Sequence, residues 1–364
     1  MKEAATMVVV GSDVHKRTHT FVAVDVAGRK LGEITVKAEH QGHDRAIRWA
    51  RERFGHVDRW AVEDCRHLSD RLEIDLLEAG EAVVRVPPKL MAEQRRLART
   101  RGKSDPIDAL AVARAALREP DLPVATHDEA SRELRLLVDR REDLVAERTR
   151  MINRLRWYLH RIAPGDPAAD PAPRTLDVAK TRRALHAWLN AEVAARPGID
   201  ARLARDVLAD IDRICAQVAA LEKEITAAVK AHQAASRVTE LSGCAALTAA
   251  KIVGETAGID RFPDEAKYAM HAGVAPIPVW SGRTHGRVRV ARIGNRQLNA
   301  ALHRIAITQL RCHEPAKAYY AKRLAAGDTR PEAIRRLKRH LARIVFNSLK
   351  NTPSTATGTL PAAA

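Results

Sequence analysis

Hydrophobic and polar positions change their period along the chain. Met7–Val14 is an apolar run containing Val8, Val9 and Val10, while Thr20–Val26 and Leu31–Val36 alternate apolar with smaller or polar residues. Successive side chains of an extended chain point to opposite faces, so this pattern predicts three strands. Gly28-Arg29-Lys30 between the last two predicts a hairpin turn. From His43 to Phe54 the spacing becomes helical, with Ile47, Ala50 and Phe54 recurring on one side. Trp60–Val62 and Ala82–Val86 predict short buried strands on either side of a helix at Leu68–Ala79. Three strands, a helix, then alternating strand and helix is the element order of a ribonuclease-H-like (RuvC-like) domain, expected over residues 1–125.

After the Pro-containing stretch Pro120–Asp128 the pattern lengthens. Ala130–Ile162 predicts one long helix in which Leu137, Leu144, Met151 and Tyr158 recur every seven residues, with Leu134, Leu155 and Ile162 on an offset row that Arg141 and Arg148 interrupt. A second helix is predicted over Ala201–His232, where Val207, Ile211, Ile214, Val218, Leu221 and Ile225 lie alternately four and three apart. This is a heptad seam, so residues 126–235 are expected to form a central helical coiled-coil region. A hairpin within one chain and a coiled coil between chains satisfy the seam equally well. Pro164–Pro173 predicts a loop between the two helices, residues 236–350 a mostly helical third domain, and residues 351–364 a disordered, low-complexity tail. The fold class is α/β followed by α.

Composition sharpens this picture. Of the residues, 46% are hydrophobic but only 4% aromatic, so any core is built mainly from Ala, Leu, Val and Ile. The formal net charge is +17, and residues 281–350 carry 17 Lys and Arg against 3 Asp and Glu. That surplus implies a polyanionic partner. Gly, Pro and short apolar runs within the stretch mark it as a folded basic domain, which favours nucleic acid over a membrane surface. Cys65, Cys215, Cys244 and Cys312 are far apart and form no CxxC pair, which argues against a zinc site or a disulfide framework. No apolar run approaches the roughly 20 residues of a membrane span or resembles a signal peptide, so a cytoplasmic protein is expected.

The candidate chemistry lies at element ends. Asp13 ends the first predicted strand, Glu63 (with Asp64 beside it) ends the fourth, and Asp105 and Asp108 stand three apart at the start of a helix that Pro106 and Ser104 announce. In a RuvC-like sheet the first and fourth strands are neighbours, so these acids converge on one edge. Carboxylates so grouped suit Mg²⁺, and two such ions can clamp the attacking and leaving oxygens of phosphoryl transfer. Lys103 immediately precedes the acidic pair in Arg99-Thr-Arg-Gly-Lys-Ser and is a candidate phosphate contact. Each acid alone is also an ordinary turn or cap residue; the signal is the set of four in this order.

Ser281 follows Pro276, Pro278 and Trp280 and precedes Gly282, with Arg283, Arg287, Arg289 and Arg292 close behind. A serine that attacks a phosphodiester needs cations to hold the phosphate, and these arginines could do so. By itself the motif also fits a solvated turn in a basic hairpin. Upstream, Leu241-Ser-Gly-Cys-Ala-Ala resembles a helix-hairpin-helix turn, with Ala245 where its second glycine is expected.

Taken together, the chain resembles the DEDD transposases of the insertion sequence 110 family over nearly its whole length. The resemblance rests on Gly-Ser-Asp13-Val-His-Lys, Val-Glu63, Arg-Gly-Lys-Ser-Asp105-Pro-Ile-Asp108-Ala, Ala-Gly-Val-Ala-Pro276 through Trp-Ser281-Gly, the Asn295-Arg-Gln-Leu-Asn-Ala-Ala-Leu-His segment, and Leu337-Lys-Arg-His-Leu-Ala-Arg. It implies a recombinase that excises and integrates its own element. Asp13, Glu63, Asp105 and Asp108 would be a Mg²⁺-binding tetrad and Ser281 a nucleophile that becomes linked to DNA through phosphoserine. It further implies donor and target DNA chosen by a non-coding bridge RNA, and homodimers that pair into tetramers. The polar stretch after Glu63 departs from the family pattern. Two other readings compete: a RuvC-like metal-dependent nuclease, which has no need of Ser281, and a basic coiled-coil binding protein, against which the acidic tetrad speaks.

Overall fold

A computed structural model of the chain describes residues 7–63, 68–97, 102, 104–122, 124–125, 128–278, 288–290 and 294–350. The first stretch carries β1 (Val9–Val14), β2 (Thr18–Val24), β3 (Lys30–Lys37), α1 (His40–Phe54), β4 (Arg59–Glu63), α2 (Asp70–Glu78), β5 (Val83–Val86), α3 (Pro88–Leu97) and α4 (Asp105–Arg118). Then come α5 (Glu129–Ile162), α6 (Ala179–Ala195), α7 (Ile199–Ala231), α8 (Gln233–Thr239) and α9 (Ala246–Thr256). They are followed by α10 (Glu265–His271), β6 (Pro276–Pro278), β7 (Val288–Val290), α11 (Arg296–Cys312), α12 (Glu314–Ala325) and α13 (Arg330–Lys350). Where the sequence pattern suggested three consecutive domains, the contacts form two units, each made of two separate stretches: Met1–Asp128 with Ala257–Asn295, and Glu129–Thr256 with Arg296–Ala364. The proposed tail, 351–364, lies outside the described residues.

In the first unit the sheet order is β3-β2-β1-β4-β5. Strands β1, β2 and β3 pair antiparallel, whereas β4 runs parallel to β1 and β5 parallel to β4. An antiparallel meander continued by parallel strands is the ribonuclease-H-like arrangement that the element order predicted. The β2–β3 turn forms where expected: Gly28 sits at φ +71°, and Asp25 Oδ1 accepts hydrogen bonds from the Ala27 and Arg29 backbones, both at 2.9 Å. Alternation gives the sheet two apolar faces. Val10, Phe21, Ala23, Trp60 and Val62 pack with Ala46, Ile47 and Ala50 of α1 and Leu72 and Leu76 of α2. Val9, Val22, Val24, Ala61, Val84 and Val86 pack with Ala109, Val112, Ala113 and Ala116 of α4. The α4 face is mostly alanine, which lets the helix axis come close to the sheet. Helix α3 has no counterpart in the sequence reading.

In the second unit α5 and α7 pack antiparallel. Leu155 and Leu159 share a core with Ala204, Leu208 and Ile211, while Leu144 packs with Ile214 and Val218, so positions rise along one helix as they fall along the other. Leu185 and Leu189 of α6, a helix absent from the sequence reading, enter the first of these clusters. The heptad seam is therefore covered within the chain. Its buried row on α7 is Ala201, Ala204, Leu208, Ile211, Ile214, Val218, Ile225 and Val229, with Val207 and Leu221 flanking it half-buried. Helix α9 lies close on α5: a Cβ at Gly254 would stand 2.9 Å from the Arg135 backbone, and buried Lys251 forms an ion pair with Glu142. Among the described residues no helix is long and apolar enough to cross a membrane.

Candidate active site

Strand alternation puts Val9, Gly11 and Asp13 on the α4 side of β1. In the parallel register Gly11 faces Ala61 and Ser12 faces Val62, so Glu63, the last residue of β4, continues the row beside Asp13. Helix α4 starts at Asp105: Ser104 before it is extended (φ −154°, ψ 153°), its carbonyl accepts from the Ile107 and Asp108 N–H groups at 2.9 and 3.1 Å, and Pro106 occupies the first turn. Gly11 then decides where this helix lies. A Cβ there would be 2.3 Å from both the Ala109 carbonyl oxygen and the Ala113 nitrogen. With hydrogen in its place, α4 rests its backbone on β1 one turn beyond Asp105 and Asp108, and its acidic end overhangs the end of the strand.

The result is a compact group. His15 Nε2 lies 3.0 Å from Asp13 Oδ2 and 3.5 Å from Asp105 Oδ1. Asp13, His15 and Asp105 each offer one ligand atom, and these atoms lie within 4.8 Å of one another. Burial raises the Asp13 carboxyl above its ordinary range; the charge of His15 opposes this, and the charges of Asp108 and Asp105 add to it. Asp108 Oδ1 lies 3.0 Å from Arg95 Nε of α3. The contact is an ion pair rather than a hydrogen bond, and that buried oxygen has no hydrogen-bond partner among the described residues. A buried Asp13 carboxylate beside a half-exposed Asp105, with Asp108 close by, is a donor set that a hard divalent cation fits. Asp13 and Asp105 could hold such an ion, with Asp108 beside them.

The structure thus brings Asp13 and Asp105 together, with Asp108 near enough for its charge to act on Asp13. Glu63 stands at the adjacent strand end, and both it and Asp108 lie outside the group of mutually close ligand atoms found among the described residues. His15 and Arg95 are not among the residues predicted from the sequence. The signal for His15 is its place two residues after Asp13, at the turn out of β1. Arg95 could not be found, since α3 itself was not expected. Ser281, Arg283, Arg287, Arg292 and Lys103 lie outside the described residues, and Arg289 is placed only by its backbone pairing with Ile277 between β7 and β6. The helix-hairpin-helix-like segment does join two helices, α8 and α9. Gly243 adopts φ +83° in the turn, and the Ala245 carbonyl accepts from the Thr248 N–H at 2.9 Å to open α9.

Comparisons with known proteins meet this geometry. A family model for the DEDD transposase of IS110, described as transposase, matches residues 10–164, a span that includes all four carboxylates. A second, described as transposase IS116/IS110/IS902 family, matches residues 235–321. The uncharacterized 44.8 kDa protein of insertion element IS116 from Streptomyces clavuligerus is 28% identical, over 94% of each chain. The 42 kDa protein of IS900 from Mycobacterium paratuberculosis is 26% identical over 76% of this chain and 78% of the relative. The 43.6 kDa protein of IS110 from Streptomyces coelicolor is 27% identical over 75% and 77%. Among solved structures, T. thermophilus RuvC in complex with a Holliday junction substrate matches 31% of this chain and 94% of its own at 20% identity, with a TM-score of 0.25. With two transposase models matching in order around the carboxylate group, and insertion-element relatives spanning most of the chain, this protein belongs to the IS116/IS110/IS902 family of transposases, enzymes that act on DNA.

Proposed function

We propose that this transposase cuts and rejoins the DNA of its own insertion element through a phosphoserine link at Ser281, with Mg²⁺ held by Asp13, Glu63, Asp105 and Asp108. The observation that carries the reading is the meeting of Asp13 and Asp105 where α4 meets the end of β1, with Asp13 raised by burial and by the nearby charges of Asp108 and Asp105. When bound, the metal supplies Lewis-acid stabilisation of charge on the transferring phosphate. The chain supplies the rest. The Ser281 hydroxyl forms a bond to phosphorus as the bond from phosphorus to a deoxyribose oxygen breaks, and the serine proton ends, net, on the departing oxygen. Attack by a deoxyribose hydroxyl of another strand reverses this chemistry and frees the serine, so strand exchange needs no outside energy source. Lys103, Arg283, Arg287, Arg289 and Arg292 hold phosphate oxygens as charge-assisted donors.

A bridge RNA that pairs with donor and target DNA, and assembly of dimers into tetramers, complete the proposal; both rest on the family resemblance. The basic stretch 281–350 provides the charge that either nucleic acid requires. The test is to quench a reaction on element-end DNA with denaturant and look for a covalent protein–DNA adduct. It is expected with the wild type and absent from Ser281→Ala. Normal recombination by Ser281→Ala would remove the serine and favour a RuvC-like nuclease that uses water.

A further inference from the structure

We propose that His15 is a nitrogen ligand of the divalent cation held by Asp13 and Asp105, and that the site therefore binds Mn²⁺ more tightly than Mg²⁺. The inference rests on the carboxylate-centre reading above and adds to the tetrad a residue of different chemistry. Three observations carry it.

First, His15 Nε2 is hydrogen-bonded to Asp13 Oδ2, and the spacing of the group is also that of ligands around one ion. Adjacent ligands of an octahedral cation with bonds of about 2.1 Å stand roughly 3 Å apart. The imidazole Nε2 is 3.0 Å from one carboxylate oxygen and 3.5 Å from the other. Second, the ring is aimed by the fold. His15 lies one residue past the end of β1, and its backbone N–H donates to the Thr18 carbonyl at 3.1 Å, closing the turn from β1 into β2. Its side chain is 53% exposed and that of Asp105 50%, against 8% for Asp13, so these two form the solvent side of the group, where an arriving ion and a phosphate are met. Third, the donor set becomes mixed. Mg²⁺ is served by oxygen ligands, whereas imidazole favours the transition-metal cations, of which Mn²⁺ also accepts carboxylates.

The experiment uses the full-length protein and Mn²⁺ as the probe. Mn²⁺ binding is followed by loss of the free-ion electron paramagnetic resonance signal, ligand nitrogen by electron spin-echo modulation, and Mg²⁺ by competition. Wild type should show ¹⁴N modulation from one imidazole. His15→Gln should lose that modulation and bind Mn²⁺ about ten- to hundred-fold more weakly, a range that even partners behind metal ligands reach. Mg²⁺ affinity should change by no more than roughly threefold, because water can replace the nitrogen around an ion that prefers oxygen. Absence of ¹⁴N modulation in the wild type, its persistence in His15→Gln, or equal losses for both metals would overturn the proposal. Asp13→Asn separates the two levels of the argument. If it abolishes Mn²⁺ binding while the wild type shows no nitrogen coupling, the carboxylate centre stands and His15 falls. If it leaves Mn²⁺ binding intact, both fall.

Discussion

Gly11→Ala tests how the fold positions its acids. The new Cβ would lie 2.3 Å from the Ala109 oxygen and the Ala113 nitrogen and 2.7 Å from the Ala113 Cβ. Ordinary contact begins at 3.4 Å, so α4 would have to move off β1 by about 1.1 Å, the difference between 3.4 and 2.3 Å. Two of the three obstacles are backbone, and no rotamer change removes them. Overpacking of this kind costs about 1–3 kcal/mol, which for a unit of this size lowers the melting temperature by roughly 2–12 °C. The displacement also carries Asp105 and Asp108 away from Asp13, and a misplacement of about 1 Å near reacting groups can lower activity on the order of 100-fold. Thermal unfolding followed by circular dichroism, Mn²⁺ titration and a strand-cleavage assay would read all three effects. Gly32→Ala is the control: its Cβ would meet only the side chains of Arg53 and Trp49, at 3.3 Å, and it should change stability by less than about 1 kcal/mol. A Gly11→Ala protein with unaltered melting temperature and metal affinity would refute the claim that α4 is seated by this contact.

His19, buried and stacked on His43 with no hydrogen-bond partner for Nδ1 among the described residues, is pulled down from 6.5 to about 4, first by burial and then by the charge of His43. The folded state resists a proton that the unfolded chain accepts, so this stability is complete above pH 6.5 and is lost as pH falls toward 4, by about 3 kcal/mol in all. Urea unfolding at pH 7 and pH 4.5 should show the loss and His19→Gln should reduce it; equal slopes in the two proteins would contradict the assignment. Glu142→Ala leaves Lys251, 1% exposed, buried without its partner and should cost about 3 kcal/mol, most of it recovered when Lys251→Met is added; a loss under about 1 kcal/mol would count against the pair. Burial pushes the Cys244 thiol up to about 12, so native alkylation at pH 8 should modify exposed Cys312 and spare Cys244, and equal labelling would be the wrong result. DNA affinity should fall steeply with salt, by a log–log slope of roughly −0.9 per neutralised phosphate; a flat dependence would remove the role given to the 281–350 charge.

Much of this protein is written in local pattern. The valine run before Asp13, the alternation through Phe21 and Val36, the helical spacing after His43 and the Ser104–Pro106 start before Asp108 each depend on neighbours a few residues away. They announced the ribonuclease-H-like order of elements and put four acids at element ends. Long-range choices were not written there. The heptad rows of α5 and α7 said that a stripe must be covered, yet covering it within the chain or by another chain satisfies the same period; the packing of Leu144 against Ile214 and Val218 made the choice. Helices α3 and α6 are not among the elements predicted from the sequence, and Arg95 beside Asp108 is missed with α3. Likewise the sequence ranked Asp13, Glu63, Asp105 and Asp108 as equals. The tertiary structure grouped Asp13 with Asp105 and His15, because a missing Cβ at Gly11 lets α4 settle directly on β1. Periodicity is a property of adjacent residues, whereas the distance between a strand end and a helix start eighty or more residues later is set by which surfaces can touch.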